Sequence, residues 1–315
     1  MHSKLLRLIL FCLLLLPVLG FSQSFRIVPL GVKGGIDESN LSAYMLAASG
    51  TNNYICLDAG TLYYGIQKAI DEKVFSISAD QVLRRYIKGY FISHAHLDHL
   101  SGLIICSPDD TVKSIYGLKS TFETIKTHYF TWDSWANFAD EGERPTLKKY
   151  SYRVLTPGIP MHVKDTWMQV DAFPLSHFNL TSTAFLVKSN DAYILYLGDT
   201  GADQVEQSHN LHNLWQLIAP LIKNKKLKAI MIETSFPNEQ PNKSLFGHLT
   251  PHLLMTEMSN LATLTGQNEL KGFNVIITHV KPPQDNIEKI KEQLKAENPL
   301  HLNIIFPEQG KAIDL

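Results

Sequence analysis

No block of five or more like charges occurs in the 315 residues, and the formal charge is only −1. A chain so balanced exerts no long-range pull on a polyanion and has no basic arm to grip a phosphate backbone, so large nucleic acids are poor candidate substrates. Cysteine is scarce, at three residues. Cys12 lies in an N-terminal apolar run, leaving Cys56 and Cys106 to the body of the protein. One disulfide could join them, but both sit in apolar runs, Tyr54-Ile55-Cys56-Leu57 and Ile104-Ile105-Cys106, where a small thiol packs well; we expect both to be free. Internal repeats and low-complexity segments are absent as well. The apolar run Leu8 to Leu16 is short for crossing about 30 Å of hydrocarbon.

That run has another reading. Lys4 and Arg7 precede it, and Pro17, Gly20 and Ser22 follow, the pattern of a secretory signal peptide over residues 1–22, cleaved after Ser22 or after Gly20. Removing it takes Lys4 and Arg7 away and the formal charge from −1 to −3. The expected product is an exported, periplasmic protein with no stable membrane association; a homo-oligomer is left open. A hydrophobic share of 44% supplies ample material for a core.

Short apolar strands punctuated by Gly, Asp and Pro dominate the remainder. Phe25 to Leu30, Leu41 to Ala48 and Asn53 to Leu57 read as a meander, and Gly89 to Ser93 as a fourth strand. Strands recur at Gln169 to Leu175, Ser182 to Lys188, Ala192 to Leu197, Ala229 to Glu233, Asn274 to Thr278 and Asn303 to Phe306. Helical stretches fall at about Leu211 to Lys223, Pro251 to Ala262 and Asp285 to Ala296. Two strand-rich halves with helices between them fit an α/β sandwich with two mixed sheets inside and helices outside. Residues 23–315 read as a single domain, with an aromatic-rich insertion at about 107–168.

The chemistry is concentrated in His94-Ala95-His96-Leu97-Asp98-His99, directly after Tyr90-Phe91-Ile92-Ser93. In an extended conformation residues two apart share a side, so His94, His96 and Asp98 are expected to converge while His99 turns away. Imidazole with carboxylate suits Zn²⁺, with Mn²⁺ or Fe as alternatives. Further ligands stand at strand ends: His177 after Val170 to Ser176, Asp199 after Tyr193 to Gly198, His279 after Val275 to Thr278. Strand ends on one edge share a crevice. Asp58, ending another strand, either steadies a metal-bound histidine or caps a turn, and Glu233 is similarly placed.

These residues resemble the metallo-β-lactamase superfamily and, more closely, the class II 3′,5′-cyclic nucleotide phosphodiesterases, whose signature continues here from His94 through Leu100-Ser101-Gly102-Leu103-Ile104-Ile105 to Ser107-Pro108. Gly198-Asp199-Thr200, Glu233-Thr234-Ser235-Phe236, Gly247-His248-Leu249-Thr250 and Thr278-His279-Val280-Lys281-Pro282 are similar to that family too. Cys106 and Thr234 depart from its pattern without touching the metal residues. The resemblance implies a metallo-β-lactamase-type αββα sandwich and two divalent ions. His94, His96 and His177 would hold one ion, Asp98, His99 and His279 the other, and Asp199 both. A hydroxide shared by the ions would open a cyclic AMP or cyclic GMP phosphodiester to the 5′-monophosphate, with Asp98 orienting it and His248 as general acid or phosphate donor. Tyr129, Phe130, Trp132 and Trp135 offer faces for a purine, or simply pack. Other hydrolases on the scaffold (a lactonase, an esterase or another phosphodiesterase) and a metal- or nucleotide-binding protein without turnover are the alternatives.

Overall fold

The computed structural model describes residues 23–315; the expected signal peptide lies outside the described residues. The first sheet is built from β1 (Phe25–Gly31), β2 (Ala43–Ala48), β3 (Tyr54–Leu57), β4 (Ile87–Phe91), β5 (Lys113–Gly117), β6 (Tyr150–Val154) and the C-terminal β14 (Ile313–Asp314), in the order β14-β1-β2-β3-β4-β5-β6. The meander β1-β2-β3 is antiparallel, whereas β3 through β6 run parallel. The second sheet repeats this division. Its strands are β7 (Met161–His162), β8 (Met168–His177), β9 (Leu180–Ser189), β10 (Ala192–Leu197), β11 (Leu227–Glu233), β12 (Asn274–Thr278) and β13 (Asn303–Ile305), ordered β13-β12-β11-β10-β9-β8-β7. Here β7 through β10 are antiparallel and β10 through β13 parallel.

Helices cover the outer faces. α1 (Tyr63–Asp71), α2 (Leu97–Cys106) and α3 (Lys119–His128) pack on the first sheet; α4 (Asn210–Lys223), α5 (Pro251–Thr265) and α6 (Gln284–Ala296) pack on the second. Three apolar cores result. One lies between the sheets, around Phe91, Phe185, Tyr196 and Ile276, and one lies under each helical layer. Parallel strands buried on both faces need apolar residues at successive positions, which is why β10 and the centre of β12, Val275-Ile276-Ile277, read as apolar runs. The sandwich is that expected from the sequence.

One expectation is overturned. The stretch at about 107–168 is not an insertion: β5 and β6 complete the first sheet, α3 covers it, and β7 pairs with β8. Polar residues disguised these strands. Lys113 opens β5 but is buried, donating to Asp110 and to the Leu83 carbonyl, and Tyr90 and Tyr150 donate to the same Asp110 carboxylate at 2.6 and 2.9 Å. Cys56 and Cys106 are free; Cys56 is buried, while Cys106, at the end of α2, is half-buried. Among the described residues no helix is long and apolar enough to cross a membrane.

Trp215, fully buried on α4, joins the helices of the second face by donating from Nε1 to Glu257 on α5 at 3.1 Å. Trp215→Ala is expected to cost about 3–5 kcal/mol in chemical denaturation, since it opens a cavity and removes a donor from a buried carboxylate.

Candidate active site

The carboxyl ends of β3, β4, β8, β10, β11 and β12 meet along one edge of the sandwich. There they deliver Asp58, His94, His177, Asp199, Glu233 and His279. His96 and its neighbours arrive differently. His96 is the N-cap of α2, with extended backbone and no capping hydrogen bond from its side chain, and Asp98 and His99 stand in the first turn of that helix. The motif therefore does not stay extended to its end. Asp98 groups with His99 and His279, not with His94 and His96, because the chain turns helical at Leu97. The result is three overlapping sets of ligand atoms, each mutually within 4.8 Å: His94, His96, His177 and Asp199; Asp98, His99 and His279; and Asp199, His248 and His279. Asp199 Oδ2 also lies 3.2 Å from His99 Nε2 and 3.4 Å from His279 Nε2, so it serves both of the first two sets.

What aims these rings is the hydrogen bond each makes on its far side. His99 Nδ1 is 2.8 Å from Asp58 Oδ2, and His177 Nδ1 is 2.8 Å from the Gly247 carbonyl, so in each case the ring N–H donates outward. Ser93 donates its hydroxyl to Asp58 at 2.8 Å and hence accepts from His94 Nδ1 at 3.0 Å. Ser235 does the same for His279: its hydroxyl donates to Glu233 Oε2 at 2.6 Å and its oxygen accepts from His279 Nδ1 at 2.9 Å. Four Nε2 lone pairs are thereby turned toward one crevice. Asp58 is the busiest of the supports, since it also takes the Ser93 amide at 2.7 Å and the Tyr196 hydroxyl at 2.6 Å. It is a histidine support and not merely a turn cap.

Backbone has been bent to achieve this. Asp58 and His279 carry φ of +53° and +56°, costly for residues with a Cβ. Gly34 lies so close to the His279 ring that a Cβ there would fall 2.1 Å from Cε1, so only glycine fits.

The electrostatics match the geometry. Burial pushes the His96 imidazole down to about 4 and holds His94 and His177 below the ordinary value, keeping them neutral and able to ligate. His99 moves the other way: burial opposes it, but the charges of Asp199 and Asp58 raise its pKa well above 6.5. Asp199 is itself held well below the carboxylate range, against its burial, by His279 and His99. Asp199, 3.2 Å from His99 Nε2, thus demands positive charge where that atom points. That atom is buried without a hydrogen-bond partner, and the set of imidazoles and carboxylates is chemically that of Zn²⁺ or a similar ion. The cluster fits divalent metal.

His248, of the third set, has its Nδ1 2.7 Å from Glu233 Oε1 and 3.8 Å from Asp199 Oδ2. Glu233 further accepts from the Thr200 amide at 3.0 Å, and burial with the charge of Asp199 pushes it up to about 7. On the other face of the ring, Lys281 Nζ lies 2.8 Å from His248 Nε2. Burial holds His248 down at about 4. Ser235 and Lys281 were not singled out from the sequence, although both fall in the family-like strings; their partners are 44 and 33 residues away.

The aromatic stretch fares unevenly. Phe130 is fully buried against Phe138 and Tyr150 and offers no face to a base. Trp132 and Trp135 are part-exposed, but their Nε1 groups are tied to the Pro145 carbonyl and to Ser107 Oγ. Tyr129 alone reaches the motif, donating to the Ala95 carbonyl at 2.9 Å.

A helix-flanked double sheet with a His/Asp cluster across its strand ends defines a metal-dependent hydrolase of the metallo-β-lactamase fold. The metallo-β-lactamase fold protein YhfI from Bacillus subtilis shares the fold, with a TM-score of 0.59 at 15% identity over 92% of this chain and 99% of that one. The chain belongs to the family of class-II cAMP phosphodiesterases, whose model matches residues 25–310. A 3′,5′-cyclic-nucleotide phosphodiesterase of Aliivibrio fischeri is 44% identical over 307 residues, 93% of each chain. A probable 3′,5′-cyclic-nucleotide phosphodiesterase of Yersinia pestis is 37% identical over 92% of this chain and 89% of its own. Unliganded yeast PDE1 has the same fold, with a TM-score of 0.81 at 24% identity, over 93% of this chain and all of that one.

Ser235→Ala removes the acceptor that fixes His279 while leaving the rings around His94 untouched. In calorimetric Zn²⁺ titration of metal-stripped protein, binding at the Asp98/His99/His279 set is expected to weaken about 10- to 100-fold, with the His94/His96/His177 set little changed.

Proposed function

We propose that this class-II phosphodiesterase hydrolyses cyclic AMP, cyclic GMP or both to 5′-monophosphates, with His94, His96 and His177 holding one divalent ion, Asp98, His99 and His279 a second, and Asp199 both. Zn²⁺ is the ion favoured by so imidazole-rich a set, with Mn²⁺ or Fe as alternatives. When bound, the pair would activate water near neutral pH and draw charge from the phosphoryl oxygens. The observation that carries the reading is the convergence of seven ligand side chains, each histidine lone pair but that of His96 aimed by a partner behind it.

The residues divide the remaining work. Asp98 accepts from the Gly35 amide at 3.0 Å on Oδ2, and His279 Nε2 lies 3.1 Å from the same oxygen. So held, and less buried than the other ligands except His96, the carboxylate is placed to accept from the attacking water and direct its lone pair at phosphorus. Attack in line breaks the bond from phosphorus to O3′, and the departing alkoxide needs a proton. It comes from the Lys281 ammonium by way of the His248 imidazole. Glu233 fixes the ring by accepting from Nδ1, while the Lys281 ammonium donates to Nε2, so the proton shared along that contact is the one the alkoxide takes. The ammonium also offsets the charge of the phosphate.

Export to a periplasm is part of the same reading, on the strength of the basic-then-apolar opening of the chain, as is one hydrolase domain over residues 23–315.

Purified protein incubated with each cyclic nucleotide is expected to release the 5′-monophosphate, seen by chromatography; a chelator should stop release and added Zn²⁺ restore it. Metal-loaded protein that leaves both nucleotides intact would overturn the assignment, and a 3′-monophosphate product would overturn the choice of leaving oxygen. His248→Ala is expected to lower kcat by about 100-fold or more at unchanged metal content.

A further inference from the structure

The metal-binding residues account for the phosphate end of a cyclic nucleotide and leave the base without a partner. The aromatics of the 129–135 stretch are buried or tied by hydrogen bonds, as described. Two other rings stand at the mouth of the site. Phe178 directly follows His177, and Phe246 precedes Gly247-His248; both are large apolar side chains left in the open, 65% and 58% exposed. They face each other edge to face, with centroids 6.0 Å apart and planes at 84°. The histidines beside them, His177 and His248, form a pair of their own at 4.8 Å.

Neither ring is there by default. Phe178 is the first central residue of the two-residue turn joining β8 to β9, and its φ of +53° is one that such turns ordinarily assign to glycine. Phe246 has φ of +52°. Two bulky residues on left-handed backbone, adjacent in space and exposed, are held against both sterics and solvation. The two loops are joined by His177 Nδ1, which donates to the Gly247 carbonyl at 2.8 Å, and the first is held from behind as the Phe178 amide donates to Glu206 Oε2 at 2.8 Å. Gly247, at φ of +79°, packs so tightly that a Cβ would fall 2.3 Å from the Phe178 nitrogen. The rings are therefore held on loops joined directly to His177 and His248.

We propose that Phe178 and Phe246 form the platform on which the purine of the cyclic nucleotide stacks. This rests on the phosphodiesterase reading. Stacking is indifferent to base edges, so the platform accepts adenine and guanine alike.

The test compares cyclic AMP and cyclic GMP with 1′-deoxyribose 3′,5′-cyclic phosphate, which has the same phosphodiester ring and no base. In wild-type enzyme the abasic compound should show the higher KM. Phe178→Ala and Phe246→Ala should each raise KM for both nucleotides at least about fivefold, with kcat, metal content and KM for the abasic compound unchanged. Phe→Tyr at either position should keep the low KM, and Phe→Leu should not. An unchanged nucleotide KM in the double alanine variant would overturn the platform, as would an equal rise for the abasic compound, or full recovery by leucine, which would make the contact mere apolar cover. If wild-type enzyme turns over the abasic compound but neither nucleotide, the substrate reading itself fails, an outcome distinct from these.

Discussion

Everything at this site depends on the direction of a few nitrogen lone pairs. An imidazole has two nitrogens and, when neutral, one proton, so a donor bond on one side decides that the other side can ligate. Here the deciding acceptors are a carboxylate, a carbonyl and two hydroxyls whose own protons are already committed to Asp58 and Glu233. Those two carboxylates are consequently more than local supports. Asp58 ties together His94, through Ser93, and His99; Glu233 ties together His279, through Ser235, and His248. Each sheet contributes one of them, so each half of the sandwich orients its own set of rings.

The near-symmetry of the sheets explains why such an arrangement falls on an edge at all. In both, the parallel strands end at the same side, where the chain leaves regular pairing and must turn. Turning residues can adopt backbone forbidden within a strand, and Asp58, His279, Phe178 and Phe246 all do so. The strain costs of order 1–3 kcal/mol at each such residue and is sustained by the buried apolar layers on either side of the sheets, which leave the edge little room to relax.

The central layers were legible from the sequence because their physics is local. A strand buried on both faces must be apolar throughout, and β10 and β12 were found to the residue. The ligands were legible too, since ligating side chains at strand ends form a recognisable rhythm. Lys113 in β5 and Arg153 in β6 broke the expected pattern, because one is neutralised by a buried partner and the other sits on an edge strand facing water. The extended-chain reading grouped Asp98 with His94 and His96, whereas the family resemblance grouped it with His99 and His279 as found: whether a six-residue motif stays extended depends on where α2 begins, and His96 lacks the side chain that usually announces a helix start. Ser235, Lys281 and the phenylalanine pair matter only through contacts made by folding, which no periodicity encodes.

A phosphodiester presents the same charged group whatever it carries, so residues that bind and cleave it cannot also choose among substrates. The structure separates these duties in space. His94, His177, Asp199, Glu233 and His279 are buried at the ends of β4, β8, β10, β11 and β12, where any change disturbs several hydrogen bonds at once; Phe178 and Phe246 stand in solvent on two short loops, where a side chain can change with little effect on the core. Related folds can therefore keep their metal residues while their loops diverge. In this chain the loops are pinned to the ligands by the His177–Gly247 contact, so the exposed rings and the buried histidines are held in one register.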